Sequence, residues 1–166
     1  KAGRGETPIL CLVHDDLTVE QEAGWFILLN GDRIAVDAMT KYRARVVTKE
    51  PVALDIRAIA KSKGLSISYG HGSKTVSAIH AVEWVHKNKG NLAETLDALI
   101  PWAQVDERAL DGILIKAVSI FLAGYPDADL EHLAKRLTKE TPATVMLTIK
   151  HAKRDYPTAV AHWMPI

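Results

Sequence analysis

The sequence predicts an α+β fold that is predominantly α-helical, with a small N-terminal β element and a C-terminal helical bundle. Three observations carry that expectation. Pro8-Ile9-Leu10-Cys11-Leu12-Val13-His14 is a continuous apolar run and Leu65-Ser66-Ile67-Ser68-Tyr69 alternates, which places strands near 8–14 and 65–69. From Thr75 onward, segments that read as helical are separated by Asn, Gly and Pro stops. Glu107 to Ala123 is apolar on nearly every side, the pattern of a helix at the centre of a bundle. The chain therefore divides into an α/β part, 1–74, and a helical bundle, 75–166.

Each element has a local cause. Asp15 and Asp16 end the first strand. Thr18 and Gln21 have capping-box spacing and open a helix that runs to about Leu29, with Asn30-Gly31 as its stop. A second helix covers Asp37 to Lys49, and Pro51 at a first-turn position opens a third that ends at Lys63-Gly64. After the alternating strand comes the loop Gly70-His71-Gly72-Ser73-Lys74, then a helix from Thr75 to Lys87. Asn91 with Glu94 caps a helix toward Trp102, and Gly124-Tyr125-Pro126 ends the apolar segment. Asp129 to Glu140 and Pro142 to Asp155 form the last pair, and the tail beyond Pro157 docks as a helical turn.

That last pair has the outline of a DNA-reading helix-turn-helix. Leu130, Leu133, Ala134 and Leu137 make one stripe; Val145, Ile149, Ala152 and Tyr156 face inward, and Thr144, Lys150, His151 and Arg154 face out. A standard turn wants glycine or a small residue four places after the alanine, where Thr138 stands, so an antiparallel core pair is expected. Leu147, amid the polar face, calls for contact with another element such as Trp163.

Composition bounds the function. A chain of 166 residues with 48% hydrophobic and 25% charged residues suits one soluble domain, or one with a small appendage. A net charge of +1 gives no global pull toward nucleic acid or membrane. The single Cys11 excludes an internal disulfide and reads as a buried thiol in a reducing, cytoplasmic setting. The longest apolar run is broken by Lys116 and is too short to span a bilayer, so no membrane partner is expected. Starting at Lys1, the chain reads as a piece of a longer protein.

Familiar catalytic and metal patterns fail. The loop before Thr75 has serines, Ser68 and Ser73, where a phosphate-cradling P-loop needs glycines. His80 and His86 are six apart and do not share a helix face, and the adjacent His14-Asp15-Asp16 cannot readily converge on one ion. No nucleophile elbow or Cys/His pair is present, so neither catalytic residue nor cofactor is assigned.

Charge pattern is more informative. From Lys41 to Lys63 seven basic residues face only Glu50 and Asp55, a local charge of about +5. The candidate phosphate-contacting residues are Lys41, Arg43, Arg45, Lys49, Arg57 and Lys61, with Lys150 and Arg154 as a second patch. Between Asn91 and Gly112, five acids face only Arg108. A solvated face and a phosphate-binding surface both satisfy this pattern.

The stretch Leu17 to Asn30, followed by Gly31-Asp32-Arg33, resembles the ParB-like (ParB/sulfiredoxin) superfamily, in particular the ParB-like proteins of actinobacterial phages and prophages. Residues 44–56, the strand LSIS and residues 121–137 resemble the same proteins. The resemblance implies that 1–74 is a remnant of a ParB-like α/β subdomain. It also implies that Asn30 and Arg33 match an Asn-x-x-Arg element near a nucleotide-phosphate site. Leu29 replaces the acid that often precedes that Asn, and the signature box lies upstream of Lys1. A helix C-cap beside a surface arginine explains the same residues.

Three functions follow. The first is a non-catalytic DNA-binding protein of phage or prophage type, contacting double-stranded DNA through the basic helical hairpin. The second is a protein-interaction module that docks onto a host protein; an oligomer is compatible with each reading. The third is part of a nucleotide-binding enzyme whose upstream motif is missing.

Overall fold

The computed structural model describes residues 15–30 and 36–155, without the side chains at 29 and 30. The expected strand at 8–14, Cys11, Arg33, the Asn30 side chain and the tail with Trp163 lie outside the described residues. In order come α1 (Val19–Asn30), α2 (Ala38–Val47), α3 (Pro51–Ser62), β1 (Ser66–Ile67) and β2 (Thr75–Val76). Then follow α4 (Ile79–Asn88), α5 (Leu92–Ala103), a 3₁₀ turn (Glu107–Leu110), α6 (Gly112–Gly124), α7 (Leu130–Leu137) and α8 (Pro142–Asp155). The chain is predominantly α-helical with a small β element, the expected class.

Capping chemistry sets most boundaries. Thr18 N–H donates to Gln21 Oε1 at 2.9 Å while Gln21 N–H donates back to Thr18 Oγ1 at 3.3 Å, a closed capping box on α1. Asp37 accepts from the Met39 and Thr40 amides at the start of α2. Gly64, at φ +71°, ends α3 in a Schellman turn: Leu65 N–H reaches Ala60 C=O and Gly64 N–H reaches Lys61 C=O. The α2–α3 turn is built the same way. Glu50 N–H bonds Arg45 C=O and Lys49 N–H bonds Val46 C=O, which puts Lys49 at φ +58° in the place a glycine would favour. Pro51 then starts α3 at once.

Four expectations change. LSISY forms only a two-residue strand, and the residues expected to begin the next helix pair with it instead: Ser66 opposes Thr75 and Ile67 opposes Val76, in parallel. The glycine loop thus joins two strands, and α4 starts at Ile79. The long apolar segment is two elements, because Asp111 turns extended and accepts from Ile113 N–H to start α6 afresh. Asn91 makes no side-chain cap on α5. Its amide donates to Ser119 C=O at 2.9 Å and its Oδ1 accepts from Ser119 Oγ at 2.9 Å, pinning the start of α5 to α6. Finally, α7 packs on α5 while α8 packs on α6 and the 3₁₀ turn, so the two helices are not each other's main support.

The core gathers around α6, whose Leu114, Ile115, Val118 and Leu122 are buried against α4 and α5. One buried cluster runs from Met39 to Ile149, spanning the expected divide at 74/75. Trp102, 1% exposed, donates Nε1–H to Glu140 C=O at 2.9 Å, so its polar edge is satisfied as its ring fills the centre.

The left-handed Lys49 gives a direct test. Lys49→Gly and Lys49→Ala both lose the side chain, but only glycine fits φ +58° without strain. The glycine variant is expected to be more stable than the alanine variant by about 0.5–1 kcal/mol in urea unfolding. Equal midpoints would show that the turn relaxes.

Candidate nucleic-acid interface

The α2–α3 hairpin turns one stripe inward. Met39, Tyr42 and Ala44 of α2 and Ala53, Ile56 and Ala60 of α3 are buried, which leaves Lys41, Arg43, Arg57 and Lys61 exposed. Tyr42 bridges the two helices, donating its hydroxyl to Ala53 C=O at 3.4 Å. Burial pushes the Tyr42 phenol up, against the opposing pull of the nearby Arg57 and Arg45 charges.

Between α2, α3 and β1 lies a groove of about 450 Å³, with no acidic residue in its lining. Arg43 borders it from α2, and Arg57 and Lys61 border it from α3. Val46, Val47, Ala60, Leu65 and Ile67 give it an apolar floor. Arg57 and Lys61 are four residues apart on one helix, so they project from neighbouring turns. Neither has an ion-pair partner among the described residues.

Arg43 is held differently. Its guanidinium lies 4.8 Å from the centre of the Tyr69 ring, a cation–π contact. Tyr69 is fixed in turn: its hydroxyl donates to Asp37 Oδ1 at 2.6 Å, and Thr40 Oγ1 lies 2.6 Å from it. Thr40 also donates to Asp37 Oδ2 at 2.5 Å. The Thr40 hydroxyl first, then the Tyr69 phenol and the Thr40 amide, hold the Asp37 carboxyl down to about 2. That carboxylate accepts hydrogen bonds on both oxygens.

The remaining predicted cations are engaged or lie elsewhere. Arg45 donates to Glu83 of α4 and sits 3.5 Å from Glu50, a half-buried link between helices. Lys49 meets Glu20 of α1 at 3.1 Å, and Lys63 meets Asp97 of α5 at 2.5 Å. Lys41 is exposed beside a separate cavity shared by α1, α2 and α4. On α8, Lys150 is exposed and Arg154 meets Asp155 at 2.8 Å. The eight residues expected from sequence therefore do not form one surface; Arg43, Arg57 and Lys61 do.

Many of the acids that made the sequence look two-sided are also engaged. Asp106 caps the 3₁₀ turn and grips Arg108 at 2.6 Å, which lowers the Asp106 carboxyl. Asp111 caps α6. His86 lies 2.6 Å from Asp55. No cluster of three His, Cys, Asp or Glu able to hold a metal occurs among the described residues. No helix among them is long and apolar enough to cross a membrane.

A model described as a family of unknown function (DUF6551) matches residues 1–165. The chain belongs to this family. No curated protein and no solved structure matches it. What this DUF6551 member presents at the α2–α3–β1 face is a cationic groove with no acid in its lining, whose Arg43 stacks on a tyrosine of the neighbouring cavity. Sequence reasoning missed Tyr69. Its partners lie 29 and 32 residues away, and the one local hint is an aromatic residue just ahead of a glycine loop.

The tether has a pH signature. Because the folded Asp37 carboxyl is depressed from 3.8 to about 2, its stabilising contribution is complete above about pH 4 and disappears as pH falls toward 2. The stability advantage of the wild type over Asp37→Asn, followed by denaturant midpoint, is expected to shrink across that window. A constant advantage would mean that the Asp37 charge adds nothing to the network.

Proposed function

We propose that the protein binds DNA through the phosphate backbone, as a binding rather than a catalytic protein, using the groove between α2, α3 and β1. The observation that carries this is the convergence of Arg43, Arg57 and Lys61 on a groove without acids, in a chain whose net charge is only +1. Most of the other cations of the hairpin have carboxylate partners, whereas none of these three has one among the described residues, Arg43 meeting the Tyr69 ring instead. Phosphate is the natural match: Arg offers a planar fork of donors and Lys a mobile point charge. The resemblance of Leu17–Arg33 to the ParB-like superfamily supports the same ligand class. Contacts of this kind give affinity that falls steeply with salt and reads little sequence.

The test is binding of labelled DNA, offered both single-stranded and as a duplex, at two salt concentrations. Arg57→Gln combined with Lys61→Gln is expected to weaken binding at low salt at least ~10-fold and to flatten the salt dependence by roughly two phosphate contacts. Lys150→Gln is expected to change little. If neither form of DNA binds at low salt, or the double variant binds like the wild type, the proposal is wrong.

A further inference from the structure

Phosphate binding explains the rim of the groove and leaves its floor unexplained. Val46, Val47, Leu65 and Ile67 form an apolar surface beneath three cations, and Val47 is 37% exposed. A phosphate gains nothing from such a surface. The groove volume of about 450 Å³ falls within the roughly 300–1,000 Å³ of sites that enclose small organic groups. In a duplex the bases are stacked inside, so a duplex backbone could ride on the rim without reaching the floor. An unpaired strand can splay a base out and lay its flat face on apolar or aromatic surface.

Tyr69 adds to this. It is 52% exposed, it lines a neighbouring cavity and meets the groove through Arg43, whose guanidinium lies 4.8 Å from its ring, and its hydroxyl is pinned by Asp37 and Thr40. A ring held this way keeps a fixed orientation at no further ordering cost when a ligand arrives. The guanidinium over it is a second planar, stacking-competent surface.

We infer that the groove takes single-stranded nucleic acid, with an unpaired base on the Val47–Ile67 floor and a neighbouring base at Tyr69. The flanking phosphates then meet Arg57 and Lys61 on one side and Arg43 on the other. This rests on the phosphate-binding proposal and adds strandedness to it. Cations on both edges of an apolar trough match an alternation of charged backbone and flat apolar base. A carboxylate-rich peptide would satisfy the cations but bring fewer flat groups to the floor.

The experiment compares three probes of equal length by fluorescence anisotropy at low salt: a single strand, its duplex, and an abasic strand carrying only sugar and phosphate. The single strand is expected to bind about 10-fold tighter than either of the others, the effect of stacking one or two bases. Val47→Ser and Tyr69→Ala should each weaken the single strand by about 5-fold and leave the abasic strand nearly unchanged. Tyr69→Phe, which keeps the ring and loses the tether, should retain most of the binding. Arg57→Gln with Lys61→Gln should weaken all three probes. Duplex binding as tight as single-strand binding, or an abasic strand that binds equally well, overturns the inference while leaving the phosphate proposal standing. Competition by polyglutamate as effective as by the single strand would assign the groove to an acidic protein. Failure of every probe removes both proposals.

Discussion

The close approach of α4 to α6 is the constraint on which the rest of the structure depends. Gly112 opens α6 against Ala78 and Ala81. A Cβ there would stand 3.2 Å from the Ala81 Cβ and 3.3 Å from that of Ala78, so small residues are needed on both sides of the seam. With the helices this near, Leu114, Ile115 and Val118 reach a core in which Val82 and Val85 are already buried. Two of the groove's walls are tied to α4. Glu83 holds Arg45 of α2, Val76 leads from β2 into the α4 start, and β1 pairs with β2. Widening the seam would therefore displace the groove as well as loosen the core.

The same arrangement sorts the charges. Salt bridges between exposed side chains are screened by water and salt, so the ion pairs of Lys49 and Arg154 add little stability. Their consequence is electrostatic: each cation next to a carboxylate loses its field within a few ångströms. Arg45 differs because it is half-buried between α2 and α4, where losing its partner would leave a desolvated charge. Members of one basic run thus differ in placement, the inward Arg45 linking helices while Arg57 and Lys61 stay exposed.

How much of this was legible in the sequence follows from how local each cause is. The Thr18–Gln21 box, the Pro51 start, the Gly64 stop and the Thr141-Pro142 start all act within about one helical turn, and all appear where residue spacing places them. Burial along α6 was visible for the same reason. What failed depends on distant partners. Asn91 has the composition of a cap, yet Ser119, 28 residues on, takes its side chain. Thr75 and Val76 join no periodic pattern of their own and become a strand only because Ser66 and Ile67 lie beside them. The basic cluster was legible as a run. Its division into paired and unpaired members was not, since Glu83 lies 38 residues from Arg45 and Asp97 lies 34 from Lys63.

A near-neutral chain can still offer a polyanion a binding face, because net charge and local potential are different quantities. At physiological salt, charges beyond about 8 Å are largely screened, so the acids of the Asn91–Gly112 segment count only where they stand close. Asp106 and Asp111 stand at helix starts, accepting backbone amides, and Asp97 faces Lys63. None of them lines the groove between α2, α3 and β1. Acids of that segment thus stand where helices begin or beside a cation, away from the groove. Arg57 and Lys61 border the groove without an ion-pair partner among the described residues, and Arg43 borders it with its guanidinium over the Tyr69 ring.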